Sequence, residues 1–295
     1  MIKEAYLLSR SYLDLQHLRV AIDLRIIKLA KDLGFKVNNF SEVEEIPLEK
    51  FGEAKEIVRT LITMREHLKS EEKNVLKDFI KLIPEDHKLL KWCRITKGLG
   101  DVAALTFLGY IDANKAITAG KVRAYFGLYP EAKITSGEKV KFNPEAKGRA
   151  FILARNVIMA KDPYYAKLYE LKKKYYLENE RKILKDGKEI TFPPFKKIIE
   201  NPKICPYYSS CEKRLVEKAK RLGRETKKPP CKLHCDMMAK IWLAGILVSH
   251  AAQLIREYEG LSIKNFLNHH GYIRPKEKED DTPDKEVIDR ILKGR

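Results

Sequence analysis

The chain has 295 residues, 44% of them hydrophobic, which is enough for one large or two ordinary domains with a real core and too apolar for a disordered tail. Its 59 Lys and Arg outnumber its 41 Asp and Glu, giving a formal net charge of +18; such a surplus attracts polyanions, nucleic acid first and an anionic membrane surface second. No apolar run approaches the ~20 residues that span a bilayer, and Met1-Ile2-Lys3-Glu4 shows no signal peptide, so the expectation is a cytoplasmic protein without a membrane partner.

The expected fold class is mainly α: a long antiparallel helical arm, then a helical domain that contains a helix-hairpin-helix, with a small irregular, zinc-stapled insertion. In residues 3–33 the residues Leu8, Leu13, Leu15, Leu18, Ile22, Ile26 and Leu29 recur at three- and four-residue steps, and Gly34 stands where a helix stop belongs. Residues 37–47 are a polar, acidic connector. A second helical stretch, 48–82, carries Ile57, Leu61, Met64, Leu68, Val75, Phe79 and Leu82 on one stripe. Residues 1–85 thus predict a coiled-coil arm, for packing or for assembly as a homodimer or tetramer. Residues 86–200 form the next unit, with Lys139-Val140-Lys141-Phe142 as one short strand, a helix over 148–159 and a charged helix over 167–188. A cysteine-rich basic insertion occupies 201–236, an apolar helix runs over 235–257, and residues 237–265 form the closing helix of the preceding unit. The polar tail, 266–295, is expected to be mobile until a last short helix near Glu286.

Three groups of residues carry the chemistry. In the first, Lys97-Gly98-Leu99-Gly100 has the Gly-apolar-Gly form of a hairpin that lets backbone N–H groups approach a phosphate, with Lys97 adding positive charge. Asp101 is placed to cap the next helix. The alternative is an ordinary glycine-bearing turn between helices. In the second, Ser136-Gly137 follows the turn Leu128-Tyr129-Pro130. A serine nucleophile needs exposure on a constrained turn and a group that stabilises charge, and Lys133, Lys139, Lys141 and Arg149 are available to hold a phosphate. No histidine lies between His87 and His234, so no local Ser/His pair is evident. In the third, Cys205-x5-Cys211 and Cys231-x3-Cys235 form two close pairs, a structural zinc pattern although the first spacing is wide. Two disulfides or four free thiols are the alternatives, and His234 is an alternative ligand. Cys93 stands alone in an apolar context and reads as core. Between the pairs, Arg214, Lys218 and Arg221 share a helix face as a phosphate-tracking stripe or a solvated one. Lys172-Lys173-Lys174 beside Tyr175-Tyr176 offers the same choice, with the rings as platforms for unpaired bases.

Several of these motifs, in this order, resemble a known family. Gly98-Leu99-Gly100, the run from Lys121 to Pro130, Ser136-Gly137, Gly148-Arg149-Ala150-Phe151-Ile152-Leu153 and Asp162-Pro163-Tyr164-Tyr165 are similar to the C-terminal domain of the Piv/MooV-type transposases. These insertion-sequence recombinases pair a RuvC-like DEDD domain with a serine-bearing domain, and members can be guided by a bridge RNA. Lys228-Pro229-Pro230, His234, Met237-Met238-Ala239 and Leu247-Val248-Ser249-His250 resemble the archaeal branch, and the likeness spans about residues 90–262. The resemblance implies that Ser136 is the nucleophile that attaches to DNA, and that the arm precedes the hairpin. It also marks a departure: Asp14 and Asp23 fall on the first predicted helix, not on a strand, so the four metal-binding carboxylates of the DEDD half are missing. The expectation is therefore a DNA-binding protein of transposition or recombination. Its magnesium chemistry would require a RuvC-like protein in trans, and structured guide RNA is a further partner. The alternative is a non-catalytic DNA- or RNA-binding remnant.

Overall fold

The computed structural model describes residues 2–129, 139–185, 188–223, 231–268 and 272–293. In chain order the helices are α1 (Ile2–Asp32), α2 (Phe40–Glu44), α3 (Lys55–Leu82), α4 (Lys88–Ile95), α5 (Asp101–Tyr110), α6 (Ala119–Tyr125), α7 (Pro144–Met159) and α8 (Tyr165–Glu178). A β-hairpin follows, β1 (Arg181–Lys185) and β2 (Lys188–Phe192), and then α9 (Phe195–Glu200), α10 (Tyr208–Leu222), α11 (Cys231–Tyr258), α12 (Lys264–Leu267) and α13 (Lys285–Leu292). The protein is mainly helical, as its composition and periodicity imply. The chain divides into two compact units, Met1–Lys91 with Asp101–Ile111, and Trp92–Gly100 with Asp112–Arg295.

In the first unit α1 and α3 lie antiparallel. Arg19 Nε meets Glu72 Oε1 at 2.6 Å and Arg65 Nε meets Asp23 Oδ1 at 2.7 Å, so numbers rise along one helix as they fall along the other. Asp23 is thereby a packing residue, and Asp14 is exposed. The connector is less irregular than its polarity suggests. Asn39 caps α2 by accepting from the Glu42 N–H at 3.1 Å, and Phe40 and Val43 join Ile22, Ile26, Ala30, Phe51 and Val58 in one core. The Arg65 guanidinium sits 3.8 Å over the Phe40 ring, which ties the charged seam to that core. Helix α5 is apolar on every side, and its residues from Ala103 to Tyr110 are all buried. Gly109 lets it approach α1, where a Cβ would stand 3.1 Å from that of Ser9.

In the second unit α11 is the axis, with α6, α7, α8 and α9 packed around it. It is long and apolar enough to cross a membrane, yet 78% of its apolar window is buried inside the protein, the condition of a core helix. Its neighbours are fixed by two polar devices. The first is a directed chain of hydrogen bonds. Trp92 Nε1–H donates to the Tyr165 hydroxyl at 2.8 Å, and that hydroxyl donates to His250 Nδ1 at 2.8 Å. His250 Nε2–H in turn donates to the Ile273 carbonyl at 2.7 Å. The carbonyl accepts only, which places a proton on Nε2 and, in the neutral ring, leaves Nδ1 to accept. Burial lowers the pKa of His250 to about 3.

The second device is the Asp162 carboxylate, fully buried with its partner Lys276. Oδ2 accepts from Lys276 Nζ at 2.9 Å and from the Lys97 amide at 3.0 Å. Oδ1 accepts from the amides of Tyr164 and Tyr165 at 3.0 and 2.9 Å, which caps the start of α8. Lys276 belongs to the tail, and so do the Arg274 carbonyl, which accepts from the Tyr164 hydroxyl at 2.8 Å, and buried Ile273. The expected mobile tail is therefore corrected in part: residues 272–276 are packed, because a buried cation and two carbonyls tie them down. Helix α13 then packs against α8.

Two further expectations change. Residues 139–142 form no strand but lead by a bend into α7, whose first turn Asn143 caps by accepting from the Ala146 N–H at 3.0 Å. The charged helix expected over 167–188 ends at Glu178, and Arg181–Lys185 pairs antiparallel with Lys188–Phe192 in the register Arg181↔Phe192 and Ile183↔Ile190. That register turns Phe192 into a small core with Phe195, Ile198 and Cys235.

Two outcomes follow from the buried groups. Asp162→Asn leaves the Lys276 ammonium buried without its anion and is expected to destabilise the protein by about 3–5 kcal/mol, read as a lower urea midpoint. His250, and His87 with its pKa lowered by burial to about 4, are neutral when folded and protonate more readily when unfolded. Their stabilisation is complete above about pH 6.5 and is lost as pH falls toward the folded values, by roughly 1.4 kcal/mol per pH unit for each histidine. Urea unfolding between pH 7.5 and 5, above the carboxylate range, measures this slope, and His250→Gln is expected to make it shallower.

Candidate nucleic-acid interface

The hairpin is held from behind. Gly98 and Gly100 both have φ of +90°, a conformation that side-chain-bearing residues rarely adopt. At Gly98 there is also no space: a Cβ would stand 2.5 Å from the Asn156 carbonyl oxygen and 2.9 Å from Val157 N, so the turn presses directly on the backbone of α7. At Gly100 nothing lies within 4 Å of where a Cβ would be. The two glycines thus have different roles, close packing at Gly98 and open approach at Gly100.

A phosphate grip needs unengaged amides, and several here are engaged. The Lys97 amide donates to Asp162, Leu99 N to the Thr96 carbonyl at 3.1 Å and Gly100 N to the Cys93 carbonyl at 3.0 Å. Cys93 itself is fully buried. What the turn offers outward is the exposed Lys97 side chain and exposed Gly98. The helix that follows, α5, falls in the other compact unit.

The packing of Gly98 on Asn156 gathers further cations. Arg149 stands seven residues before Asn156 on α7, which is two turns on the same side, about 10 Å along the axis. Arg155 is exposed beside the contact, and so is Lys161, whose φ of +53° belongs to the turn just before Asp162. Neither Arg155 nor Lys161 has an ion pair among the described residues. Sequence reading missed both; the signal was the Lys161-Asp162-Pro163 turn, legible only once Asp162 was known to anchor the hairpin.

Lys139 and Lys141 are exposed ahead of α7, on the far side of the serine-bearing segment. Ser136 and Lys133 lie outside the described residues. The flanks of that segment are tied together. Asn143 N donates to the Tyr125 carbonyl at 2.9 Å, its side-chain amide donates to the Tyr125 hydroxyl at 3.0 Å, and the Phe142 ring covers Gly127.

The second basic stripe is on α10. Arg214 is exposed there, with Lys213 and Lys220; the side chains of Lys218 and Arg221 lie outside the described ones. The third stripe is corrected. Lys172 is buried, at 8% exposure, with its ammonium 4.6 Å from the Tyr175 ring and 5.3 Å from those of Tyr176 and Trp242. The Arg181 guanidinium lies 4.6 Å from the rings of Tyr176 and Phe192. The chain's own cations face these rings where bases would have to stack. Lys173 pairs with Asp236 at 2.9 Å, and only Lys174 is exposed. Burial lowers the pKa of Lys172 to about 8.

The cysteines divide three to one. Burial raises the pKa of Cys231, and the nearby thiols of Cys205 and Cys211 raise it further. Cys235, one helical turn deeper in α11, is fully buried and directs its thiol to the Lys173 carbonyl at 3.8 Å. His234 packs edge-on against Phe195 with ring centroids 5.5 Å apart. All the cysteines are free thiols, and among the described residues no group of three or more His, Cys, Asp or Glu is drawn together as a metal cage.

Compared with protein-family models, curated proteins and solved structures, the chain finds no match.

Proposed function

We propose that this protein binds DNA through the surface around its Gly98 hairpin and acts in transposition or recombination, with Ser136 as the nucleophile on a DNA phosphodiester. The observation that carries the binding reading is the set of exposed cations Lys97, Arg155 and Lys161, without an ion pair among the described residues, beside a turn clamped on α7 in a chain of net charge +18. Lys139, Lys141 and Arg149 extend that surface, and Arg214 on α10 offers a second phosphate contact. Such contacts read the backbone and not the sequence, so binding depends steeply on salt. The recombination reading rests on the resemblance of residues 90–262 to the serine-bearing transposase domain, with magnesium and its carboxylates supplied by a RuvC-like partner. The arm, with exposed Leu7, Leu18, Leu24, Ile57 and Met64, would join copies of the chain.

The triple variant Lys97→Ala, Arg155→Ala, Lys161→Ala is expected to bind duplex DNA at least about tenfold more weakly and to lower the salt slope by roughly 2–3. Unchanged affinity and slope would remove this surface from the binding site. Ser136→Ala is expected to bind normally and to lose the adduct that survives denaturation with nicked branched DNA, magnesium and a RuvC-like partner. Equal binding with no adduct from either protein leaves the non-catalytic binding role.

A structural zinc ion, drawing Cys205, Cys211 and Cys231 together, belongs to the same proposal. The closeness of the Cys205 and Cys211 thiols to Cys231 supports it, whereas the Cys235 thiol is turned toward the Lys173 carbonyl. The expected result is close to one zinc per chain on elemental analysis, lowered by Cys205→Ser and not by Cys235→Ser. Metal-free protein whose thiols all react under native conditions would exclude it.

A further inference from the structure

The second unit contains two arginines against α11 that differ in how their guanidinium groups are satisfied. Arg256 is buried and uses all three nitrogens on backbone carbonyls. Nε and Nη2 donate to Ser262 at 3.0 and 2.8 Å, and Nη1 donates to Ala113. Arg123, in the last turn of α6, lies along α11 where Gly245 leaves room for it. Its Nε donates to the Gly245 carbonyl at 3.2 Å and to Ser249 Oγ at 3.1 Å. Ser249 gives its own proton to the Gly245 carbonyl at 2.6 Å, so its oxygen is left to accept. Among the described residues neither Nη of Arg123 has a hydrogen-bond partner, and no carboxylate pairs with it. Burial alone lowers its pKa. Arg123 is only half-buried, so its two open Nη groups remain accessible from solvent as donors for an incoming anion.

Arg123 lines a small cavity of about 20 Å³ together with Ser249, His250, Gln253, Phe266 and Tyr272. His250 is only a wall, since both its nitrogens are bonded elsewhere. The Gln253 amide donates to Glu257 Oε1 at 2.8 Å and to the Tyr272 hydroxyl at 3.2 Å. Tyr272 accepts that bond and keeps its own proton to give. Glu257 is not among the cavity's lining residues. The cavity therefore combines two unused guanidinium donors, one hydroxyl donor and no lining carboxylate.

We propose that this cavity is an oxyanion site in which the Nη groups of Arg123 and the hydroxyl of Tyr272 bind a phosphate group, either free phosphate or the terminal monoester of a larger molecule. The site stands on its own geometry and not on the reading of the hairpin. Backbone amide shifts of the wild-type protein would be followed while inorganic phosphate is added at constant ionic strength with chloride as the exchanged ion. Saturable shifts at Gly245, Ser249 and Gln253 are expected. Arg123→Gln, which keeps a donor toward Gly245, is expected to weaken binding by about tenfold or more, the loss of a charge-assisted hydrogen bond. Arg59→Gln on the arm is expected to leave it unchanged. Two oligonucleotides that differ only in a 5′-phosphate or 5′-hydroxyl then separate the sources. Tighter binding of the phosphorylated one, lost in Arg123→Gln, assigns the site to a nucleic-acid end. Equal binding of the two, with inorganic phosphate still saturating, assigns it to a free phosphate. Absence of saturable shifts in the wild type overturns the proposal, and so does equal phosphate affinity in Arg123→Gln. If Arg123→Gln does not fold, the wild-type titration still decides, with Tyr272→Phe as the second variant.

Discussion

One buried carboxylate organises the second unit. Asp162 accepts four hydrogen bonds, two from Lys97 and Lys276, which lie 65 and 114 residues from it in the chain, and two from the adjacent turn. The Lys97 amide sets the height of the hairpin above α7. The amides of Tyr164 and Tyr165 start α8 and thereby aim the Tyr165 hydroxyl at His250. Lys276 brings in the tail, and the tail supplies the carbonyl that fixes the His250 tautomer. A buried ion pair of this kind adds little net stability relative to an apolar substitute, but loss of either partner leaves a bare charge in the core. Asp162 draws the hairpin, the start of α8 and the tail to one point.

The positive charge is not spread evenly. On the arm, Arg19 and Arg65 are tied to Glu72 and Asp23 across the α1–α3 seam. Inside the second unit Lys172 and Arg181 lie against aromatic faces, Arg256 is capped by carbonyls, and Arg123 keeps two nitrogens open. Around the hairpin Lys97, Arg155 and Lys161 are exposed and make no ion pair among the described residues. Cations that hold the fold and cations left over can therefore be told apart, and only the second group has reason to meet a polyanion.

The long periodic helices were legible from the chain itself, since Leu13, Ile22 and Ile26 in α1 and Phe79 in α3 recur at helical spacing and are buried. The β-hairpin was not, because Arg181 and the lysines around it continue the charge pattern of α8. Only the partnering of Ile183 with Ile190 and the burial of Phe192 distinguish it. The tail read as mobile from its polarity, because composition does not reveal a partner for Lys276 that lies 114 residues away. Lys172 and its neighbouring tyrosines read as an open stacking surface, yet Arg181 and Trp242, distant in sequence, close it. Spacing grouped four cysteines; the structure adds that Cys235 is buried in the core around Phe195, against which Cys205 and Cys231 also pack. Of the candidate site, the glycines and Lys97 were visible as a motif, whereas Arg155 and Lys161 became visible only through the contact between Gly98 and Asn156.

The path of the chain between the two units has a consequence for dissection of the molecule. The chain leaves the first unit after Lys91, supplies the nine-residue segment Trp92–Gly100 to the second, returns for Asp101–Ile111 and then leaves for good. Neither unit can be released by one cut. A fragment that stops near residue 85 keeps α1 and α3 but lacks α5, and exposes the face of α1 around Ser9 and Leu13 that α5 covers. A fragment that begins there carries α5 as an orphaned apolar helix. Protease nicking and gene truncation should therefore yield sticky, aggregating pieces in place of two well-behaved domains, because the chain crosses between the units three times.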